Sequence, residues 1–173
     1  MNAEQLRSLI RSIPDFPKAG ILFRDITPLL KDKAGLRAAV DIMAAPFMDQ
    51  FIDYVVAIEA RGYLLGAPLA YKLGAGLIPV RKPGKLPYDK ITQDYALEYG
   101  TNSLEIHNDA VQPSQRVLIV DDLLATGGTA AATKSLLEKL GAVIVGCVFL
   151  VELLALDGRK RLAGAPVTTF ITY

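Results

Sequence analysis

The stretch VLIVDDLLATGGT, residues 117–129, decides the fold class of this chain. Its apolar run VLIV ends in two acids, and small residues then lead into a helical pattern over Gly128–Leu140. Other apolar runs, at Tyr54–Ile58, Leu77–Val80 and Val143–Val151, alternate with helical patterns. Strands that alternate with helices are typical of a parallel sheet covered on both faces. The sequence therefore predicts an α/β fold with a central, mostly parallel sheet flanked by helices.

Composition excludes several functional classes. The 173 residues fit one domain, 1–173, because a domain usually has about 100–200 residues. Lys+Arg is 19 and Asp+Glu is 18, and a net charge of +1 argues against a nucleic-acid partner. The longest apolar run, Ala142–Val151, falls short of the about 20 residues that cross a membrane. A single cysteine excludes an internal disulfide and favours a cytoplasmic location.

Two regions depart from the alternating pattern. Near the N-terminus, we expect a helix over residues 2–12, a short strand at Ile21–Arg24, and a helix over 34–51 that Pro46 divides. Residues 81–107 begin with a basic loop and continue as a hairpin whose turn is expected at Gly100–Ser103. Long excursions from a compact domain often act as lids over a binding site.

The loop after the acids has the features of a phosphate-binding site. Two glycines and two threonines stand at the expected start of a helix, where backbone N–H groups and the helix dipole favour an anion. Asp121 and Asp122 would repel a phosphate, but they suit ribose hydroxyls or a metal ion. The motif as a whole fits a sugar phosphate. The alternative is a βα turn with Thr126 as the N-cap and solvated acids.

Four further segments extend this motif into a family resemblance. The chain resembles the adenine phosphoribosyltransferases, a family with the type I phosphoribosyltransferase fold, in IPDFPKAGILFRDITPLL (13–30), AIEARGYLLGAPLA (57–70), RKPGKLP (81–87), YALEYGTNSLEIH (95–107) and VLIVDDLLATGGT (117–129). The segments occur in order over nearly the whole chain. The resemblance implies transfer of a phosphoribosyl group from phosphoribosyl pyrophosphate to adenine, giving AMP and pyrophosphate. It also implies a homodimer, an N-terminal hood (1–33) over the base and a flexible hairpin lid (81–107).

The resemblance assigns roles around the sugar phosphate. It implies that Asp121 and Asp122 hold the ribose hydroxyls. The 5′-phosphate would be bound by Ala125, Thr126, Gly127, Gly128 and Thr129. The pyrophosphate would be neutralised by Arg61, Arg81, Lys82 and Lys85. Magnesium would be carried mainly by substrate oxygens, without a direct protein ligand. Members of the family often hold a cis peptide bond that involves no proline in the pyrophosphate loop, and we expect it between Ala60 and Arg61.

Other residues would serve the base. The resemblance implies that Glu98 is the general acid–base for the purine ring nitrogen, with Tyr99 beside the ligand. The adenine pocket would be formed by Leu22, Phe23 and Arg24. The alternatives are a 6-oxopurine phosphoribosyltransferase and a regulator that binds phosphoribosyl pyrophosphate without catalysis. Tyr95 is most simply interpreted as a packing residue.

Overall fold

The computed structural model describes residues 1–96 and 101–173. Within these ranges, contacts group the chain into two compact units, Met1–Ile42 and Met43–Tyr173. Glu98 and Tyr99, which the resemblance assigns to the base, lie outside the described ranges. The division into a hood and a lid therefore stays a prediction.

The first unit contains short elements. Helix α1 (Ala3–Ser8) begins with a capping box in which the side chains of Asn2 and Gln5 bind each other's backbone N–H. Strand β1 (Arg11–Pro14) pairs antiparallel with β2 (Leu22–Asp25), followed by α2 (Thr27–Lys31) and the start of α3 (Lys33–Ala44).

Predictions for this unit were partly correct. A strand at Ile21–Arg24 is confirmed within one residue by β2. The helix expected over 2–12 is wrong beyond Ser8, because residues 11–14 pair with β2 and the sheet bonds override the helical spacing of the apolar residues. The helix over 34–51 is confirmed up to Ala44, and a 3₁₀ turn containing Pro46 follows it.

The second unit is built on the parallel sheet that the sequence predicts. Among the described residues, five strands pair in parallel in the order β4-β3-β7-β8-β9. They are β3 (Tyr54–Ile58), β4 (Gly76–Val80), β7 (Arg116–Leu124), β8 (Val143–Glu152) and β9 (Val167–Thr172). Helix α4 (Gly62–Leu73) connects β3 to β4, and α5 (Gly128–Lys139) connects β7 to β8.

The two helices cover opposite faces of the sheet. On β3, Ala57 faces α4 so closely that a Cβ added to Gly66 would lie 2.6 Å from its methyl group. The alternate β3 residues Val56 and Ile58 belong instead to the buried cluster that includes Leu136 of α5. Side chains alternate between the faces of a strand, so α4 and α5 lie on different sides. This arrangement buries β3 and β7 on both faces.

A hairpin covers the α5 side of the sheet. Strands β5 (Lys90–Ala96) and β6 (Thr101–His107) pair antiparallel, and Leu104 and Ile106 of β6 are buried in the same cluster as α5. The expected turn at Gly100–Ser103 is wrong for residues 101–103, which pair with residues 94–96. Asn102 pairs with Tyr95, so its turn propensity does not interrupt the strand. Gly100 lies outside the described residues. In the described ranges, every helix is too short or too polar to span a bilayer.

The burial of β8 provides a paired test of the fold. Val148 is fully buried and Val143, on the same strand, is 43% exposed. We expect Val148→Ala to lower the free energy of unfolding by about 2 kcal/mol, since it removes buried methyl groups and leaves a cavity. Val143→Ala is the control and should change it by less than about 0.5 kcal/mol. Urea denaturation of both variants measures the difference, and equal losses would contradict this packing.

Candidate active site

The site lies where the connections that follow two neighbouring parallel strands leave toward opposite sides of the sheet. From β3 the chain continues to β4 on one side, and from β7 it continues to β8 on the other. Ligands of open parallel sheets bind at the carboxyl ends of the strands at such a switch point. A cavity of about 210 Å³ opens there. It is lined by Glu59, Ala60, Arg61, Lys82, Tyr95, Asn102, Leu104, Asp121, Asp122 and Thr129.

A smaller cavity adjoins it at the glycine loop. Its volume is about 70 Å³, and it is lined by Asp121, Leu123, Leu124, Ala125, Thr126, Gly127, Gly128, Thr129, Ala130 and Phe149. Asp121 and Thr129 line both cavities, so the two spaces adjoin each other. The structure therefore brings together the paired acids and the whole loop 125–129 that the sequence assigned to the sugar phosphate.

The loop conformation depends on glycine. Gly127 has φ +79°, in the left-handed region that favours glycine, and α5 begins at the next residue. The α5 N-cap is Gly127, and no side chain caps it. The alternative with Thr126 as the N-cap is therefore wrong. First-turn N–H groups of a helix lack intrahelical partners and are available to an anion.

The paired acids are largely withdrawn from solvent. Asp122 is 3% exposed and Asp121 is partly buried. Burial raises the pKa of Asp121, and the charge of Asp122 raises it further. Burial also raises the pKa of Asp122, although the Arg61 guanidinium opposes this. Two adjacent carboxylates in a recess are costly to ionise together, and this cost is typical of a functional site.

Arg61 partly compensates the acids. Its Nε lies 2.9 Å from Asp122 Oδ2, and Asp122 N donates to Asp121 Oδ1 at 2.9 Å. The resemblance assigned Arg61 to pyrophosphate, and the structure places it in the cavity beside Asp121 and Asp122. The guanidinium can therefore contact an anion in the cavity while it remains close to Asp122.

The expected cis peptide bond occurs one residue earlier than predicted. It joins Glu59 to Ala60, and the prediction at Ala60–Arg61 is wrong. No proline stands in EARG to mark the position in the sequence. After this loop, Gly62 begins α4, and a Cβ on it would lie 2.9 Å from Asp121 Oδ1. The absence of a side chain at Gly62 therefore lets α4 approach the acids.

Glu59 organises the basic segment and was missed by the sequence analysis. Its Oε2 accepts hydrogen bonds from Arg81 Nε at 3.2 Å and from Lys82 N at 3.1 Å. Burial would raise the pKa of Glu59, but these hydrogen bonds and the charges of Arg81 and Lys85 hold it below its ordinary value. An acid directly after a buried strand was the available signal, the same pattern that singled out Asp121.

The predicted cations are thereby joined to the site. Lys82 lines the cavity, and Arg81 is bound to Glu59, which also lines it. Arg81 Nη1 donates to the carbonyl oxygen of Lys85 at 2.9 Å, which closes the basic turn. Tyr63, on α4, donates its hydroxyl to Val80 O at 2.9 Å directly before this turn. The cations follow β4 at the same edge of the sheet as the acids.

Tyr95 and Asn102 also line the cavity, and sequence reasoning missed both. They are opposite each other in the β5–β6 register, so their side chains lie on one face of the hairpin. A Cβ on Gly128 would lie 3.2 Å from the ring of Tyr95, which places the ring against the start of α5. The alternation of Tyr95 with polar neighbours indicated a common face, but not what the face covers.

The predicted base residues belong to the first unit. Phe23 of β2 packs edge-to-face on Phe16, with ring centroids 5.1 Å apart. Arg24 binds the hydroxyl of Ser12, and Leu22 is 47% exposed. These contacts describe β2 within its own unit, and the adenine pocket remains a prediction.

Fold and site together define a phosphoribosyltransferase. The family model "Phosphoribosyl transferase domain" matches residues 26–165, which include the cavity, the glycine loop and the acids. The chain belongs to this family, and within it to the adenine phosphoribosyltransferases, as its relatives show.

Full-length relatives support the narrower assignment. The chain is 56% identical over 168 residues to the adenine phosphoribosyltransferase of Thermosynechococcus vestitus, covering 97% of this chain and 99% of the relative. It is 53% identical over 173 residues to that of Thermoanaerobacter sp., covering 100% of both.

Solved structures agree with the sequence matches. The adenine phosphoribosyltransferase of Thermoanaerobacter pseudethanolicus has a TM-score of 0.97 and 52% identity, covering 99% of this chain and all of that chain. The Saccharomyces cerevisiae enzyme, solved with adenine and an imino-altritol bisphosphate, has a TM-score of 0.92 and 40% identity, covering 97% of each chain.

Burial of Asp121 beside Asp122 leads us to expect that its carboxylate lowers the stability of the fold and strengthens phosphoribosyl pyrophosphate binding. The folded state holds the Asp121 proton more tightly than the unfolded chain, so wild-type stability falls as pH rises through the raised pKa. Asp121→Asn cannot ionise. We expect it to raise the free energy of unfolding at neutral pH by about 1 kcal/mol and to weaken phosphoribosyl pyrophosphate binding.

Thermal melting from pH 4 to pH 8 tests this sign. The stability advantage of Asp121→Asn should be small in acid and should grow toward neutral pH. An advantage that shrinks as pH rises would mean that the carboxylate stabilises the fold.

Proposed function

We propose that this chain transfers the phosphoribosyl group of 5-phosphoribosyl 1-pyrophosphate to adenine, giving AMP and pyrophosphate in purine salvage. The observation that carries the proposal is the juxtaposition, in two adjoining cavities, of the paired acids and the glycine loop, with cations at the opposite rim. This arrangement suits one ligand with hydroxyls in the middle and phosphates at both ends. Adenine is proposed as the base because the full-length relatives at 53% to 58% identity are adenine phosphoribosyltransferases.

Each group of residues then has a task. The loop 125–129 binds the 5′-phosphate through backbone N–H groups at the start of α5. Asp121 and Asp122 accept hydrogen bonds from the ribose hydroxyls, which gives these buried carboxylates the partners that favour their ionised form. Arg61 and Lys82 face the pyrophosphate. Arg81 is held beside them by Glu59, and Lys85 is held by the hydrogen bond from Arg81 to its carbonyl oxygen.

The reaction exchanges one bond at the anomeric carbon. The bond from C1′ to the pyrophosphate oxygen breaks and its electron pair leaves with pyrophosphate. A ring nitrogen of the adenine imidazole edge forms the new bond to C1′, and the ring loses one proton. Cations on the pyrophosphate side stabilise the departing charge, and closure of the segment 81–107 would exclude water from the oxocarbenium-like centre. Glu98 is proposed to handle the ring proton.

The residues present fit a magnesium ion shared with the substrate. In the described ranges, no cluster of three or more His, Cys, Asp or Glu side chains is placed to enclose a metal ion. Asp121 and Asp122 are adjacent, and the contact of the buried Asp122 Oδ2 is its ion pair with Arg61 Nε at 2.9 Å. Mg²⁺ is usually held by one or two carboxylates, waters and substrate phosphates. We therefore propose that pyrophosphate and ribose oxygens carry it, near these acids, where it would neutralise the leaving group.

The base pocket and the assembly are proposed on the family resemblance. Leu22, Phe23 and Arg24 would hold adenine, with Tyr99 beside the ligand. A homodimer is supported by the exposure of Tyr71 on α4 and Leu77 on β4, at 90% and 44%. We place the chain in the cytoplasm, because its one cysteine, Cys147, is a free buried thiol.

Base competition tests the specificity. With phosphoribosyl pyrophosphate and magnesium, we expect rapid AMP formation from adenine and turnover of hypoxanthine and guanine lower by about 10³-fold or more, because oxopurines exchange a donor for an acceptor and leave buried groups unpaired. Product formation is followed by chromatography. Comparable turnover of hypoxanthine would contradict the adenine assignment and favour the 6-oxopurine phosphoribosyltransferase alternative. Binding of phosphoribosyl pyrophosphate without any turnover would favour the regulatory alternative.

Glu98→Gln tests the acid–base assignment. We expect kcat to fall by about 10²-fold or more, with the KM for phosphoribosyl pyrophosphate little changed, since general acid–base groups contribute about 10²–10⁴-fold. Glu138→Gln is the matched control, because Glu138 is exposed on α5 and pairs with Lys134 at 2.6 Å, away from the cavity. Near-normal turnover of Glu98→Gln would remove Glu98 from the mechanism.

A further inference from the structure

A charged network lies behind the glycine loop, outside both cavities. Glu152, at the end of β8, is 3% exposed. Arg159 donates to both of its carboxylate oxygens, from Nε and Nη2, at 2.7 Å each. Thr169 of β9 donates its hydroxyl to Glu152 Oε2 at 2.7 Å, and Arg159 Nη1 donates to Val167 O at 2.9 Å. The mechanism proposed above does not use this network.

The residue before Arg159 is packed against the glycine loop. A Cβ on Gly158 would overlap Ala125 O and would lie 3.1 Å from Gly127 N. In return, a Cβ on Gly127 would overlap Gly158 O. The two backbones touch without intervening side chains. Gly158 therefore forms a wall behind the loop residues that are to bind the 5′-phosphate.

The network and the loop are also continuous through the sheet. Glu152 is the register partner of Leu124, the last residue of β7 before the loop. Leu153 N donates to Leu124 O at 2.9 Å. At its other end, the 3₁₀ segment Gly158–Leu162 is anchored by Leu162, which is fully buried in the cluster that contains α5. Residues 153–162 are thus held at both ends, by Leu153 and by Leu162. Gly158, between these two residues, is packed against the loop.

We propose that the Glu152–Arg159 ion pair positions the 5′-phosphate loop. By holding Gly158 against Ala125 and Gly127, it keeps Gly127 in the left-handed conformation and the loop N–H groups aimed at the phosphate. The inference rests on the proposed function. Arg159 and Glu152 are positioning residues, because they act through Gly158 and contact no ligand cavity among the described residues.

The charges of the pair suit this position. A carboxylate near a bound phosphate would repel it, but Arg159 neutralises Glu152 through the two hydrogen bonds. These bonds hold the pKa of Glu152 below its ordinary value, despite its burial. The planar guanidinium matches both carboxylate oxygens at once, which lysine cannot do. The loop is therefore held in place without net negative charge behind it.

Arg159→Met is the direct test, with Lys160→Met as the matched control. Lys160 is the next residue, its side chain is 77% exposed, and it pairs with Asp157 instead of Glu152. For Arg159→Met we expect the KM for phosphoribosyl pyrophosphate to rise about tenfold, equal to about 1.4 kcal/mol. The kcat and the KM for adenine should stay within about twofold. Arg159→Lys should recover part of the loss, and Lys160→Met should match wild type.

Direct binding separates this inference from the proposed function. Titration calorimetry with ribose 5-phosphate should show the same tenfold weakening in Arg159→Met, whatever base the enzyme accepts. If wild type does not use adenine but this weakening occurs, the function falls and the positioning role stands. If wild type makes AMP and Arg159→Met has unchanged KM and ribose 5-phosphate affinity, the positioning role is overturned.

A glycine variant covers the case in which Arg159→Met fails to fold. Gly158→Ala adds a methyl group directly against the loop, whereas Gly146→Ala adds one where the nearest atom is 3.4 Å away. We expect weaker ribose 5-phosphate binding in Gly158→Ala alone. Thermal melting is measured for every variant. Loss of melting temperature with unchanged ribose 5-phosphate affinity in Gly158→Ala would show that the segment only stabilises the fold.

Discussion

The parallel pairing of β3 with β7 is the constraint on which the site depends. Both strands are buried on their two faces, and their connections leave toward opposite sides of the sheet. The loop at 59–62 and the loop at 125–129 consequently lie side by side, although more than 60 residues separate them in the sequence. Hydrophobic burial of two apolar strands thus places polar groups of opposite charge at one edge.

Glycines determine how closely the backbones approach at that edge. Gly62 lets α4 begin beside Asp121, and Gly127 and Gly158 let two loops touch. A side chain at any of these positions would separate the elements by the width of a methyl group or more. Close approach matters because backbone N–H groups bind an anion only when it can reach them. The glycines of the site therefore set how closely the backbones approach, and the charged residues provide the groups that can contact a ligand.

The site holds its charges in compensated pairs. Arg61 faces Asp122, Arg81 binds Glu59, and Arg159 binds Glu152. Arg61 and Arg81 are more exposed than the acids they face, so a substrate anion can approach these two cations without first uncovering the carboxylates. Arg159 lies behind the glycine loop, outside both cavities. Asp121 is the acid of the site that is compensated least, since burial and Asp122 both raise its pKa. In the proposed function, a sugar hydroxyl would supply the hydrogen bonds that this carboxylate needs.

Much of the fold could be predicted because local patterns are consistent with it. The bounds of β3 and α4 match the predicted Tyr54–Ile58 and Gly62–Leu73, since apolar runs and helical spacing are read from neighbouring residues. The end of α1 could not be predicted from local patterns, because it is set by the pairing of β1 with β2, whose residues are about ten positions apart. The turn predicted at residues 101–103 is wrong for the same reason, because strand pairing outweighs the local turn propensity.

The sequence by itself determined which chemical groups the candidate sugar-phosphate site offers, because the acids, the glycines and the helix start are contiguous in VLIVDDLLATGGT. Its resemblance to a family also identified the cations at 61 and 81–85. Only the tertiary structure decided which groups meet. Tyr95 faces the start of α5, Glu59 binds the basic turn, and Gly158 supports the loop from behind. These contacts join residues that are 22 to 33 positions apart, and packing of separate elements, not local propensity, brings them together.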